Sequence, residues 1–193
     1  MSANGLSRLL DEGGGLKAAN VVTLSRGVLI APILGLLLAH RTGWALGLYV
    51  VAALTDAVDG WLARRDGQAS AFGAQLDAAV DNLFSLAILV FIALAEPEAA
   101  RRQAPALIAL AVVPLAYLAL SWLLTRRVLM FHFLSAKAGG LMLFALWPLM
   151  ALTGQAVWAP LTATVVILSR LEQLVFMARG GRALDAPHGL SPV

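Results

Sequence analysis

The sequence predicts an all-α integral membrane protein: six transmembrane helices preceded by a short N-terminal juxtamembrane segment. Three observations carry that prediction. Apolar residues make up 60% of the 193-residue chain, against roughly 45–50% in ordinary soluble domains. Charged residues make up 13%, about half the usual share. The apolar residues are gathered into runs near the ~20 residues that a helix needs to cross hydrocarbon, with no period-two alternation of the kind a membrane β-barrel would show. The same composition excludes intrinsic disorder, which needs low hydrophobicity and high charge.

The six runs are residues 21–39, 44–63, 74–95, 104–124, 138–152 and 158–177. The fifth is short and extends naturally through Leu134 or Thr153. Pro32, Pro114 and Pro148 lie inside runs, where membrane helices tolerate a kink. The whole chain, 1–193, reads as a single membrane domain, with 1–20 as the N-terminal cytosolic or juxtamembrane segment and 178–193 as a C-terminal tail. Asp11, Glu12 and three glycines precede the first run, and no small-residue cleavage site follows it, so a signal peptide is not expected. Residues 6–10 and 16–19 could form a short amphipathic surface piece.

Orientation follows from the basic residues. One predicted side collects Arg8, Lys17, Arg26, Arg64, Arg65, Arg126, Arg127, Lys137, Arg170, Arg179 and Arg182; the other has Arg41, Arg101 and Arg102. Such asymmetry puts both termini, and the loop after the second run, in the cytoplasm. The net charge is +3, but its basic residues sit in short clusters between apolar runs, so it argues for membrane loops and against a nucleic-acid partner. The chain has no cysteine, which excludes disulfides and thiolate metal sites. His40, His132 and His188 are scattered and read as interfacial or solvated. Trp44, Trp122, Trp147 and Trp158 fall near run ends and read as an aromatic belt.

Four acids stand out because they lie in apolar runs, where charge is expensive and points to function. Asp56 and Asp59 are i,i+3 near the end of the second run; Asp77 and Asp81 are i,i+4 near the start of the third. Each pair shares one helix face, and a short connection makes the two helices antiparallel neighbours. Four carboxylates then converge at the cytosolic end of a helix pair, and they repel unless a cation joins them. All-oxygen ligands suit a hard ion such as Mg²⁺, Mn²⁺ or Ca²⁺, and two ions are a common arrangement for phosphoryl chemistry. The plainer alternative is a set of Arg–Asp pairs, through Arg64, Arg65 or Arg26, that only joins helices. Arg64 presents the fixed donor fork suited to a phosphate, and Gly60 and Gly73 permit close approach of a ligand or a neighbouring backbone.

The run from Asp56 to Arg64, eight further residues, then Gly73, Asp77 and Asp81 resembles the signature of the CDP-alcohol phosphotransferase family, DxxDGxxAR followed after eight or nine residues by GxxxDxxxD. Every fixed position matches. The resemblance implies that Asp56, Asp59, Asp77 and Asp81 hold two Mg²⁺ or Mn²⁺ ions and that Asp81 is also the general base. It implies that Gly60, Arg64 and Ser70 contact the CDP part of the donor. Residues 20–26 are similar to the family's N-terminal pattern, which adds Asn20 and Thr23 to the donor contacts, although Ala19 replaces the usual preceding Pro. The implied reaction transfers a phosphatidyl group from CDP-diacylglycerol to an alcohol, with release of CMP. The implied setting is a cell (inner) membrane, with a cytoplasmic active site and a homodimer.

For the acceptor, Arg126, Arg127 and Lys137 lie on the same predicted side as the acids and would suit a phosphate such as that of glycerol 3-phosphate or inositol phosphate. Their alternative role is topological. Ser135 to Gly139 is similar to the start of the fifth helix in glycerophosphate-using members, but Gly139 and Gly140 stand where those carry Lys and Thr. Outside the enzyme class, the aspartates could serve a cation transporter, or the chain could be a catalytically idle scaffold. A transporter would favour acids at the midplane and an internal repeat, and neither is evident.

Overall fold

The computed structural model describes residues 18–65, 71–126, 131 and 133–179; within these, side chains are described at 21–54, 76–126, 131 and 133–179. The described residues form seven helices and no strand: α1 (Ala18–Leu38), α2 (Thr42–Arg65), α3 (Ala71–Ala95), α4 (Pro97–Arg102), α5 (Ala104–Thr125), α6 (Leu134–Thr153) and α7 (Trp158–Ala178). Five of them, α1, α3, α5, α6 and α7, contain segments long and apolar enough to cross a membrane. The sixth expected span, α2, is 24 residues long, about 36 Å at 1.5 Å per residue, but its apolar described part is Thr42–Leu54. The chain is a multi-pass membrane protein.

The fifth run begins at Leu134, four residues before its apolar core, as the extension anticipates. Pro32, Pro114 and Pro148 all sit inside helices. The short α4 is not anticipated by the apolar pattern: six residues starting at Pro97, with Arg101 and Glu98 in an exposed i,i+3 ion pair of 2.7 Å.

Two compact units divide the chain, Met1–Ala95 and Glu96–Val193. In the first, α1 packs on both α2 and α3. Its core holds Ile33, Tyr49, Phe84, Ile88 and Phe91, each 1% exposed or less. Tyr49 stacks on Phe84 with centroids 5.5 Å apart, and Phe91 meets both rings edge-on. Such aromatic pairs prefer these offset and T-shaped geometries. The turn from α1 to α2 is tight: Arg41 N–H donates to Leu36 O and His40 N–H to Leu37 O, a Schellman pattern with His40 at φ 55°.

In the second unit, α7 packs on α5 and α6. Gly139 lies at a close approach of α6 and α7; a Cβ there would come within 3.3 Å of Val166 Cγ2. Phe131, Phe133 and Phe176, with centroids 5.2–5.3 Å apart, fasten the segment before α6 to the end of α7. Trp44 and Trp122 are well exposed and Trp158 is half-buried, whereas Trp147 is fully buried in the core, which overturns the aromatic-belt reading for that residue. Trp147 lies almost two turns before the end of α6 and on the helix's buried face, which it shares with Leu143 and Met150.

Candidate active site

The site is built on the first unit. Asp77 and Asp81 stand one turn apart on α3, so both carboxylates lie on one face. Arg26 reaches them from α1. Its Nη2 donates to Asp77 Oδ1 at 2.8 Å and forms an ion pair with Asp81 Oδ1. The Arg26 side chain is 0% exposed, whereas those of Asp77 and Asp81 are 43% and 34% exposed. The arginine is therefore inside the helix pack while the acids it binds open outward. A buried guanidinium needs such partners, because an unpaired charge in low dielectric is costly. The adjacent Asn82 turns its amide to Ala78 O on its own helix, at 2.7 Å.

Thr23 lies one turn before Arg26 on α1 and is 5% exposed, on the same buried face. Asn20 is in the first turn of α1, and Asp56, Asp59, Gly60 and Arg64 occupy the last three turns of α2. The helical register puts Gly60 one turn after Asp56 and Arg64 one turn after Gly60. The side chains of those five residues lie outside the described ones, as do Ser70 and Arg127 altogether. Among the described residues no group of three acids or histidines gathers; the described members of the motif are Asp77 and Asp81.

Of the expected acceptor residues, Arg126 closes α5 in a left-handed conformation, φ 55°, and its guanidinium lies over the Trp122 ring, 5.1 Å from the centroid. Lys137 is exposed in the first turn of α6. Sequence reasoning did not foresee the polar cluster of the second unit. Arg170 lies 5.0 Å over the Tyr117 ring and donates to Gln173 Oε1 at 2.9 Å. Gln173, fully buried, reaches Ser169 at 3.5 Å; Ser135 lies 3.4 Å from Ser169 and donates to Glu172. The signal was present, since Arg170 and Glu172 are charges within a membrane-length helix.

The arrangement in the first unit suits a hard cation chemically. Among the described side chains it offers two partly exposed carboxylates, and each acid that meets Arg26 through Oδ1 also carries a second oxygen. No solved structure matches the chain. Its similar relatives include a "Putative cardiolipin synthase" of Mycobacterium tuberculosis and one of Mycobacterium bovis, each 33% identical over 81 residues, 42% of this chain and 39% of the relative. Another is the "CDP-diacylglycerol--glycerol-3-phosphate 3-phosphatidyltransferase" of Pseudomonas fluorescens, 40% identical over 77 residues, 38% of this chain and 39% of the relative. The chain thus spans about two fifths of the length of the relatives it matches. The family model for CDP-alcohol phosphatidyltransferases matches residues 16–169, which includes α1, the Asp56–Asp81 motif and most of the remaining helices. The chain belongs to the CDP-alcohol phosphatidyltransferase family.

Proposed function

We propose that this chain, as one membrane domain, transfers the phosphatidyl group of CDP-diacylglycerol to the hydroxyl of an alcohol and releases CMP. The observation that carries the reading is the pair of partly exposed carboxylates, Asp77 and Asp81, gathered on one buried arginine within the region matched by the family model. Asp56, Asp59, Asp77 and Asp81 would hold two Mg²⁺ or Mn²⁺ ions, which when bound neutralise the donor's pyrophosphate. Asp81 takes the proton of the acceptor hydroxyl. The acceptor oxygen then bonds to the lipid-linked phosphorus as the bond from that phosphorus to the CMP oxygen breaks. Asn20, Thr23, Gly60, Arg64 and Ser70 would seat the CDP group, with the acyl chains left in the bilayer. Most of the acceleration then comes from positioning and electrostatics.

Both termini and the site face the cytoplasm of a cell (inner) membrane in this reading, and the chain works as a homodimer. The names of the relatives favour glycerol 3-phosphate or a second phospholipid as acceptor over inositol phosphate. Arg126, Arg127 and Lys137 supply positive charge for an acceptor phosphate.

The test is an acceptor screen. Purified protein is given CDP-diacylglycerol, Mg²⁺ and a panel containing glycerol 3-phosphate, inositol phosphate, serine and phosphatidylglycerol, and CMP release is followed. One acceptor should release CMP, EDTA should abolish that release, and Mg²⁺ or Mn²⁺ should restore it. Full turnover without metal would end the dinuclear reading. Orientation is checked by cysteines introduced at Gln68 and Gln103, which should label from opposite sides of the membrane; labelling of both from one side removes the topology.

A further inference from the structure

We propose that Arg26 is a positioning residue for the metal-binding carboxylates rather than only a bolt between α1 and α3. One nitrogen, Nη2, meets Oδ1 of both Asp77 and Asp81. A single donor atom shared by two acids fixes their separation and directs both into one region. It also offsets their mutual repulsion, which would otherwise spread them. The guanidinium is wholly buried while the carboxylates are 43% and 34% exposed, so the fixed charge lies behind the acids and leaves their exposed side for an ion. Arginine is always charged and planar, so it sets this geometry at any working pH.

Groups that hold a ligating carboxylate from behind matter to metal affinity: their loss typically weakens binding about 10–100-fold. The inference rests on the metal reading above, and its test separates the two. Free Mn²⁺ is followed by electron paramagnetic resonance as Mn²⁺ is titrated into the full-length protein in detergent micelles. Wild type, Arg26→Lys and Arg26→Gln are compared, and the melting temperature of each is taken in EDTA. Lysine keeps the charge but lacks the planar fork, so Arg26→Lys reads geometry alone. The expected result is Mn²⁺ binding by wild type and binding weaker by about 10-fold or more in Arg26→Lys, at a melting temperature in EDTA close to that of wild type. If Arg26→Lys is unfolded in EDTA but recovers its fold at Mn²⁺ concentrations well above those wild type needs, the positioning role also stands. Equal Mn²⁺ affinity in wild type and Arg26→Lys overturns it and leaves Arg26 as helix packing, as does unfolding that Mn²⁺ does not reverse. Tighter binding in Arg26→Gln overturns it in the other direction, making Arg26 a competitor of the ion. No Mn²⁺ binding by wild type would instead sink the metal reading.

Discussion

Each of the two units holds an arginine within its helices, and the two are treated differently. Arg26 is met by two carboxylates, whereas Arg170 is met by an aromatic face and a neutral amide. Ring quadrupoles and amide oxygens stabilise a guanidinium without cancelling its charge. Among the described residues of the first unit, two carboxylates meet the one guanidinium of Arg26, an excess of acid that a bound cation would relieve. The second carries a guanidinium whose described partners are neutral, and has no such need. The contrast teaches that charge within a membrane protein is informative through its local balance rather than its mere presence: an excess of one sign points to chemistry, and a neutralised or shared charge can simply fasten helices.

The sharpest way to break that contrast is to remove one carboxylate charge at a time. Asp81→Asn keeps the size of the side chain and one oxygen but removes the base, so CMP release should fall by ~10²–10⁴. Asp56→Asn should lose more metal and donor affinity than Asp81→Asn does, because Asp56 is assigned only to holding ions. Both variants are assayed at saturating Mg²⁺ for CDP-diacylglycerol affinity and turnover. Turnover of Asp81→Asn within about threefold of wild type, far short of that loss, would take the base role from Asp81. Equal loss of donor affinity in both would reduce Asp81 to an ion ligand.

The second unit should respond with stability rather than chemistry. Arg170→Met keeps most of the side-chain volume and removes the contact with Tyr117 and the hydrogen bond to Gln173. A partly desolvated cation–π contact contributes up to ~2 kcal/mol and a hydrogen bond ~1 kcal/mol, while relieving a buried charge works the other way. The expected net loss is about 1–2 kcal/mol, read by denaturant unfolding in micelles. A more stable Arg170→Met that has lost turnover would reverse the contrast, since it would mean the second arginine is also kept for function.

These effects also mark how far the sequence reaches. The spans are legible because an unbroken apolar stretch of about 20 residues matches the thickness of hydrocarbon and little else. The aspartates are legible because charge inside such runs is rare. Two of them, Asp77 and Asp81, lie on one helix face because the i,i+4 spacing dictates it. That Arg26 pairs with these acids was one of the alternatives the sequence left open; which arginine does so, and with which two acids, depends on which face of α1 meets α3, a contact between residues 51 positions apart in the chain. Tyr117 and Gln173 escaped notice, and Arg170 was read only as one of the basic residues of its side, for the same reason: their meeting depends on how α5 and α7 pack. The short α4 escaped because six residues with four charged or proline side chains leave no apolar period to read. Trp147 was misplaced because an apolar run does not say which of its faces is buried, and Trp147 shares the buried face of α6 with Leu143 and Met150.

The smallest expected effect compares how a helix ends in each unit, where backbone rather than charge decides. After α1 the left-handed position is taken by His40, at φ 55°; after α6 it is taken by Gly154, at φ 66°. Both close their helices with a backbone bond into the last turn, His40 N–H to Leu37 O and Gly154 N–H to Met150 O. A side chain in this region costs ~1–2 kcal/mol of strain, and glycine avoids it but gives up ~0.5–1 kcal/mol of backbone entropy. His40→Gly should therefore stabilise the fold by about 0.5 kcal/mol, and Gly154→Ala should destabilise it by a similar amount. Packing does not confuse the second change, because a Cβ at Gly154 would meet nothing within 4 Å, and His40 is exposed. Denaturant unfolding of the two variants and wild type side by side gives the comparison. Opposite signs of similar size would establish that the two helix ends differ only in residue choice. A loss on His40→Gly would instead mean that the imidazole holds something at the membrane surface, and that the histidine is kept at a cost in strain for that contact.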